Sequence, residues 1–496
     1  MTLPPDGFSA GPRRRRRPSP VIVVLLAGLV AAAAVAVAWF LEADPAGREA
    51  AEPRGRPRDG RPVEREPEQD DPLLEALEEL LRGGGLPGDE ELAECVAAGG
   101  PPGPGVPTAG GIRAEVRAVA RQVERIRELR FEDRVEPEFV TPEEMARRVR
   151  RLFEEEYTPA LAEADRRILG ALGAVPRDVD LRELRGRALE GQVAGFYIPS
   201  TGELVVRSSG EGLEPLDRVT LAHELEHALA DQRFDLPIPE RLRVGHEDAD
   251  LAGLALVEGD ATLTMQRYAL GLPFADQLAL FDPAALAQAG AGLKGLPPYL
   301  QRELLFPYEG GLRFVCALFS AGGWDAVDGA YAEPPASTSQ ILFPERYARR
   351  QDPVDPADPA RPGPRWSAEP ARSFGAVNLL WLFEAPGGAP QRAVAAPLRS
   401  AGAWGGGEVH LWTRGPRSAV AMALAERPGT DLLCRGVTAW YRAAFPGAEP
   451  VSTRPGERLA VQGGAQDALV ACTEDQVLVA IAPDLDTARA MAAGPP

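Results

Sequence analysis

Apolar and polar positions recur along the chain with two different periods, and together they predict an α+β fold. Apolar residues follow helical spacing over 112–129, over 141–172 with one break near Pro159, and through most of 216–322. The segment 193–207 alternates instead, as a β-hairpin does. We therefore expect a mainly helical domain with a short β-hairpin or sheet.

The last quarter of the chain shows a different pattern, in which short alternating segments are separated by helical ones. We expect a small C-terminal α+β unit there. The predicted strands are 408–413, 419–425, 468–472 and 477–482, and the predicted helices are 431–445 and 484–493.

Stretches rich in proline, glycine and charge interrupt these patterns and suggest a division of the chain. A short helical pattern lies at 73–81, ahead of the main helical region. The predicted segments are a basic cytoplasmic tail (1–20), a transmembrane signal anchor (21–41), a disordered linker (42–72), a main domain (73–350), a Pro-rich linker (351–365) and the C-terminal α+β unit (366–496).

The N-terminal pattern predicts a membrane anchor. Five arginines at 13–17 precede the uncharged segment 21–41, which as a helix spans about 30 Å, the thickness of a bilayer core. The positive-inside rule then places the rest of the chain outside the cytoplasm, as a single-pass protein of the cell membrane. The alternative is a cleaved signal peptide, for which Ala36-Val37-Ala38 is a candidate cleavage site.

Composition and charge exclude several classes of protein. Hydrophobic residues make up 45% of the 496 residues and charged residues 26%, which excludes a wholly disordered chain. A net charge of −19 argues against a nucleic-acid partner, because phosphates would be repelled. The four cysteines show no CxxC spacing, which disfavours a cysteine-type zinc site. If disulfides form, Cys434 with Cys472 is the favoured pair.

One helical segment carries the pattern H-E-x-x-H, read as His223-Glu224-Leu225-Glu226-His227. Histidines at i and i+4 lie about 40° apart around a helix, so both imidazoles can face one metal ion. Glu224 is close enough to reach a water on that ion. The alternative is an amphipathic helix with two solvated histidines.

A zinc site with two histidines needs a third protein ligand and an open position for water. Glu258 is the candidate, because it lies in an apolar helical stretch where an acid is costly to bury unless it is paired or coordinated. The competitors are His246, Asp250 and Asp260. Asp260 points about 160° away from Glu258 on a helix, so it is expected to play a supporting role.

These motifs resemble the gluzincin zinc metallopeptidases. More narrowly, the chain is similar to an uncharacterised group of bacterial and archaeal membrane-anchored metallopeptidases through VAGFYIPSTGELVV, TLAHELEHALADQRFDL, ALVEGDATLTMQ and later segments. The resemblance covers most of 112–480. It implies that residues 73–350 form a metallopeptidase-like domain with a zincin-like fold. In this domain His223, His227 and Glu258 would bind Zn²⁺, Glu224 would be the catalytic base, and the substrate would be a peptide or protein. The chain departs from the expected pattern at Thr262 and at Phe343.

Other polar residues have weaker roles in this prediction. The candidates for stabilising an oxyanion are Tyr197, Tyr308 and His410, and the sequence does not rank them. The hairpin before the metal helix is placed as a substrate-aligning edge strand is in such peptidases. Asp231 is expected to orient a ligand imidazole, and Glu226 to be solvated or salt-bridged.

The sequence therefore predicts a zinc metalloendopeptidase, a hydrolase acting at the outer face of the cytoplasmic membrane. Two alternatives stay open. One is a catalytically silent zinc-binding surface scaffold, and the other is a binding module that acts through the C-terminal unit. The sequence determines neither the cleavage specificity nor the oligomeric state.

Overall fold

The computed structural model describes residues 89–98, 111–208, 212–239, 243–281 and 292–493. Helices predominate up to about residue 350. They are α1 (Asp89–Ala97), α2 (Ile112–Arg127), α3 (Pro142–Glu156), α4 (Pro159–Ala171), α5 (Leu181–Gln192), α6 (Pro215–Phe234), α7 (Glu247–Leu270), α8 (Phe274–Ala279), α9 (Pro298–Ala332), α10 (Thr338–Leu342) and α11 (Pro344–Ala348).

Strands predominate in the rest of the chain, and the predicted α+β class is confirmed. The strands are β1 (Glu138–Val140), β2 (Gly195–Ile198), β3 (Glu203–Arg207), β4 (Ser367–Ala368), β5 (Arg372–Ser373), β6 (Trp404–Arg414), β7 (Arg417–Glu426), β8 (Glu449–Pro450), β9 (Glu457–Gln462), β10 (Asp467–Cys472) and β11 (Gln476–Ala482). The later helices are α12 (Ala376–Glu384), α13 (Pro397–Ala401), α14 (Leu432–Ala444) and α15 (Leu485–Ala492).

Local sequence signals explain the break in the helical stretch 141–172. The Thr141 hydroxyl accepts a hydrogen bond from the backbone N–H of Glu144, and the Thr158 hydroxyl accepts one from that of Leu161. Each threonine is followed by a proline in the first turn, where a missing N–H costs nothing. The break therefore separates two individually capped helices, α3 and α4.

The predicted hairpin is part of a three-stranded sheet with the order β1-β3-β2. Strand β2 pairs antiparallel with β3, and β1 pairs parallel with β3. Strand β2 is therefore at an edge of this sheet, and it packs against α6, the helix that carries H-E-x-x-H. This arrangement positions the hairpin beside the candidate site.

A larger antiparallel sheet occupies the C-terminal part, with the order β4-β6-β7-β11-β10-β9-β8 and with β5 beside β6. Its strands β6, β7, β10 and β11 correspond to the four predicted ones. Strand β9 was not predicted, although it pairs with β10 along its length. Three other strands are two residues long, too short for a period of two to be recognised.

Helices α7 and α9 approach each other closely, because glycines face each other at their crossing. A Cβ added at Gly259 would lie 2.3 Å from the carbonyl carbon of Gly311, and one added at Gly311 would lie 2.0 Å from the carbonyl oxygen of Ala255. Only glycine, which has no Cβ, allows the two helix backbones to come this close. Because Gly259 directly follows Glu258, this contact sets the position of the Glu258 backbone relative to α9.

Two disulfides link the described elements. Cys434 pairs with Cys472, as favoured from the sequence, and Cys95 of α1 pairs with Cys316 of α9. The largest hydrophobic cluster runs from Leu92 to Ile481, so helices of the first part and strands of the last part share one core.

The prediction of a membrane-spanning helix is corrected here. Among the described residues no helix is both long enough and apolar enough to cross a bilayer. The longest, α9, has 35 residues but carries charged side chains along its length. The predicted anchor 21–41 lies outside the described residues, as do 1–20, 42–72 and the helix predicted over 73–81. The localisation that depended on the anchor is withdrawn with it.

Candidate metal centre

The three predicted metal ligands meet between two packed helices. His223 and His227 lie one turn apart on α6, and Glu258 lies in the middle of α7. All three side chains are buried, with at most 1% exposure. The apolar side of α6 that the sequence assigned to the core is buried as well, including Leu221, Leu225 and Leu229. The helix is therefore fixed by its apolar side while both imidazoles face α7.

The donor atoms of these three residues converge on one point. The Nε2 atoms of His223 and His227 are 3.0 Å apart, and Glu258 Oε2 lies 3.1 Å from the first and 3.7 Å from the second. All three donors lie within 4.8 Å of one another. A tetrahedral zinc with bonds of about 2.05 Å would separate its ligands by about 3.3 Å. The observed distances lie on both sides of that value.

The chemistry of the donor set also fits a divalent metal ion. Two neutral imidazoles and one carboxylate are the ligands of many catalytic zinc sites, and they leave the fourth position to solvent. Without a shared proton or a cation, the two Nε2 lone pairs would repel each other at this distance. The structure therefore forms a buried site that can hold a metal ion, and it does not identify the ion.

Burial and the neighbouring charges set the protonation of two of these ligands. Burial lowers the pKa of His227, and the neighbouring His223 lowers it further. For Glu258, burial alone would raise the pKa, but hydrogen bonds and charges from both histidines outweigh it, so that the pKa is lowered. A neutral imidazole and an ionised carboxylate are the forms that bind metal.

Glu224, the predicted base, is buried next to this centre. Neither of its carboxylate oxygens has a hydrogen-bond partner, although the side chain is fully buried. Burial raises its pKa well above the ordinary value, and Glu258 raises it further. Gly195 of the edge strand β2 makes room for the side chain, since a Cβ there would lie 2.8 Å from Glu224 Cγ. The structure thus keeps an acid without a hydrogen-bond partner close enough to Glu258 for the two charges to interact.

A buried charge network lies behind His227, and its central residue was not predicted. Arg127 of α2 is fully buried, and its Nε lies 2.8 and 3.0 Å from the two carboxylate oxygens of Asp260. Its NH2 is 2.6 Å from Asp328 on α9. Tyr331 donates a hydrogen bond of 2.9 Å to Asp260. Asp260 is therefore engaged by Arg127 and Tyr331, and it is not one of the three donors that converge.

Glu226 belongs to the same network, and the expectation that it is solvated is wrong. Its side chain is fully buried, 3.8 Å from Arg127 Nε and 3.8 Å from His227 Nδ1. Burial and Asp260 raise its pKa well above the ordinary value, against the opposite effect of Arg127. Of the two expected roles, the salt-bridged one is nearer to the structure.

Asp231 does not orient a ligand imidazole as expected, because the Nδ1 atoms of His223 and His227 have no hydrogen-bond partner. Its Oδ2 instead accepts a hydrogen bond of 2.7 Å from the hydroxyl of Tyr197 on β2. This hydrogen bond connects β2 to α6, one turn beyond His227.

The structure separates the three candidates for oxyanion stabilisation. The ring of Tyr308 on α9 lies 6.3 Å from that of His223, measured between centroids. The hydroxyl of Tyr197 is engaged by Asp231. His410 lies on β6 in a second cluster of candidate ligands, with Asp358 and Glu408. Tyr308 is therefore the candidate whose ring lies near the imidazole of His223.

The competing ligands, and the two residues that depart from the pattern expected from the sequence, lie outside the group of three donors. His246 precedes the first residue of α7, and Asp250 forms an ion pair with Arg243. Thr262 is buried on α7, one turn after Glu258. The ring of Phe343 lies under the guanidinium of Arg346, at 4.0 Å.

No family model, no curated protein and no solved structure matches this chain.

Proposed function

We propose that this protein is a zinc-dependent peptidase, in which His223, His227 and Glu258 bind the ion and Glu224 is the catalytic base. The observation that carries the proposal is the pairing of two features in one buried place. Three metal donors lie within 4.8 Å of one another, and an acid with no hydrogen-bond partner lies beside them. A metal site built only to hold two helices together has no need of that acid.

The residues of the chain divide the chemistry between them. Zinc, when bound, supplies the Lewis acid that polarises a carbonyl and acidifies a water molecule. Glu224 would accept the proton of the attacking water on a carboxylate oxygen and return it to the leaving amine. Its burial supports this role, because a base with no other partner and a raised pKa can take up a proton and release it again.

The position of β2 supports a peptide as the substrate. This strand lies at the edge of its sheet, and its Gly195 touches the side chain of Glu224. An extended peptide that pairs with such an edge would bring its backbone carbonyls to the base. All four residues of β2 are buried. The residues that bury this strand would therefore have to move before a substrate could pair with it.

A second candidate function is a structural metal centre, and the complete burial of the three donors favours it. In that case the ion would only join α6 to α7. The two functions make different predictions for Glu224, because a structural site binds the ion without using this side chain.

The deciding experiment compares Glu224→Gln with the full-length wild type, in zinc content and in hydrolysis of an unfolded protein substrate. The substitution keeps the shape of the side chain and removes the base. We expect an unchanged zinc content and a rate lower by about 10²–10⁴-fold. Glu155→Gln makes the same chemical change at an exposed position of α3 and should leave the rate unchanged.

Two results would contradict the proposal. If wild type and Glu224→Gln hydrolyse the substrate equally, Glu224 is not the base. If neither cleaves while both hold one zinc that is lost in His223→Ala, the structural centre is the correct function. Gly195→Ala gives a further check, because its methyl group would displace Glu224 by its contact at Cγ, lowering the rate without removing a donor.

A further inference from the structure

Three side chains from two distant segments form a second group of metal donors. Glu408 and His410 are two residues apart on β6, so they point to the same face of the sheet. Asp358 reaches the same place from residues 352–364, a segment without helix or strand that we name the strap. One donor atom from each of the three residues lies within 4.8 Å of the other two.

The strap is held against the sheet on both sides of Asp358. The backbone N–H of Val354 donates to the carbonyl of Gly405, at the start of β6, with a distance of 2.8 Å. The N–H of Ala360 donates to the carbonyl of Met491 on α15, at 2.9 Å. These two backbone hydrogen bonds therefore keep Asp358 close to β6.

The imidazole of His410 is held in one orientation, and one of its ring nitrogens has no hydrogen-bond partner in the protein. Its ring stacks on Trp412, the next residue on the same face, with the planes 12° apart and the centroids at 5.7 Å. Its Nε2 lies 3.2 Å from Glu408 Oε2, yet this buried atom makes no hydrogen bond of good geometry. The side chain is 13% exposed. A stacked imidazole thus places a nitrogen without a hydrogen bond 3.2 Å from the carboxylate of Glu408.

The charge around His410 is negative and not neutralised by the protein. In the part of the chain that the structure describes, no arginine or lysine forms an ion pair with Asp358 or Glu408. Asp355 and Glu247 are close enough to Glu408 to add further negative charge at this place.

We propose that Asp358, Glu408 and His410 form a second metal site, which binds a divalent transition-metal cation such as Zn²⁺ and fastens the strap to β6. One imidazole and two carboxylates suit zinc or manganese, whereas calcium and magnesium prefer oxygen donors alone. The three donors leave further positions for water. This site is separate from the centre at His223 and does not depend on the proposed peptidase function.

The test counts the metal ions bound by the full-length protein. Wild type, His410→Ala and Asp358→Ala are stripped with a chelator, dialysed against Zn²⁺ and assayed for bound zinc and for thermal midpoint. We expect two zinc ions per chain in wild type and one in either variant, with at least a tenfold loss of affinity at the second site. Asp133→Ala removes an exposed carboxylate elsewhere and should still bind two.

The outcomes separate this proposal from the preceding one. If the first centre binds no metal, wild type holds one zinc ion, and that ion is still lost in Asp358→Ala. If Asp358→Ala binds as many ions as wild type with equal affinity, the second site does not exist. Asp358 is exposed on the strap, so this variant decides the matter even if His410→Ala fails to fold. Repeating the dialysis with Ca²⁺ should give no binding that depends on His410.

Discussion

Replacing Arg127 by methionine tests whether the buried network behind the metal centre is a unit. This guanidinium contacts Asp260 of α7 and Asp328 of α9, and it lies 3.8 Å from Glu226 of α6. Three helices therefore present acids to one cation that belongs to a fourth helix, α2. Methionine would fill most of the volume and remove the charge.

The expected loss of stability follows from what remains buried. Asp260 and Glu226 are both fully buried, and Arg127 is the cation beside them. Breaking a buried ion pair by removing one partner costs about 3–5 kcal/mol, because the other charge keeps its desolvation penalty. The pKa of Glu226, already raised by burial, would rise further without Arg127. Protonation of Glu226 would offset part of the cost, so we expect about 3 kcal/mol.

Urea unfolding followed by tryptophan fluorescence measures this loss. Trp324 is a suitable probe, since the guanidinium carbon of Arg127 lies 4.2 Å from its ring centroid. We expect a lower midpoint with an unchanged slope. Arg117→Met, at an exposed position of the same helix, should change the stability by less than about 0.5 kcal/mol. A loss below about 1 kcal/mol for Arg127→Met would refute the reasoning.

Three further predictions follow from other contacts. Gly259→Ala would place a methyl group 2.3 Å from the backbone of α9; we expect a loss of about 1–3 kcal/mol and weaker metal binding, measured by unfolding and by zinc titration. Burial raises the pKa of Asp248 from 3.8 to about 6, so the folded protein binds this proton more tightly than the unfolded chain, and the contribution of Asp248 to stability falls between pH 4 and pH 6. The stability of Asp248→Asn relative to wild type should therefore rise over this range, by up to about 3 kcal/mol, measured by unfolding at each pH. Removing the disulfide with Cys95→Ser and Cys316→Ser should cost about 2–5 kcal/mol, measured by thermal unfolding.

Two of these predictions have a matched control, and the third has a result that would contradict it. Gly329→Ala, on α9 where a Cβ meets nothing within 4 Å, should stabilise the helix by about 0.5–1 kcal/mol. An advantage of Asp248→Asn that stays constant with pH would show that its carboxyl does not titrate in this range. The pair Cys434–Cys472 spans only 38 residues against 221, so in the chain-entropy model its removal should cost less. An equal or larger cost would contradict that model here.

The sequence by itself determined what depends on neighbouring residues. The threonine caps and prolines at the starts of α3 and α4 are local, and so is the turn that joins β2 to β3. The spacing of His223 and His227 placed both imidazoles on one side of α6, because helix geometry alone fixes that angle. Glu258 was also found from the sequence, since an acid in an apolar stretch signals burial with a partner.

The tertiary structure decided which sides meet. Arg127 and Asp260 are 133 residues apart, and no local period indicates that one neutralises the other. Asp231 was given the wrong partner because its position on α6 does not tell which strand packs there. The grouping of Asp358 with His410 likewise depends on the path of the strap over β6. A helical or alternating period reports that a face is buried, but only packing determines what that face is buried against.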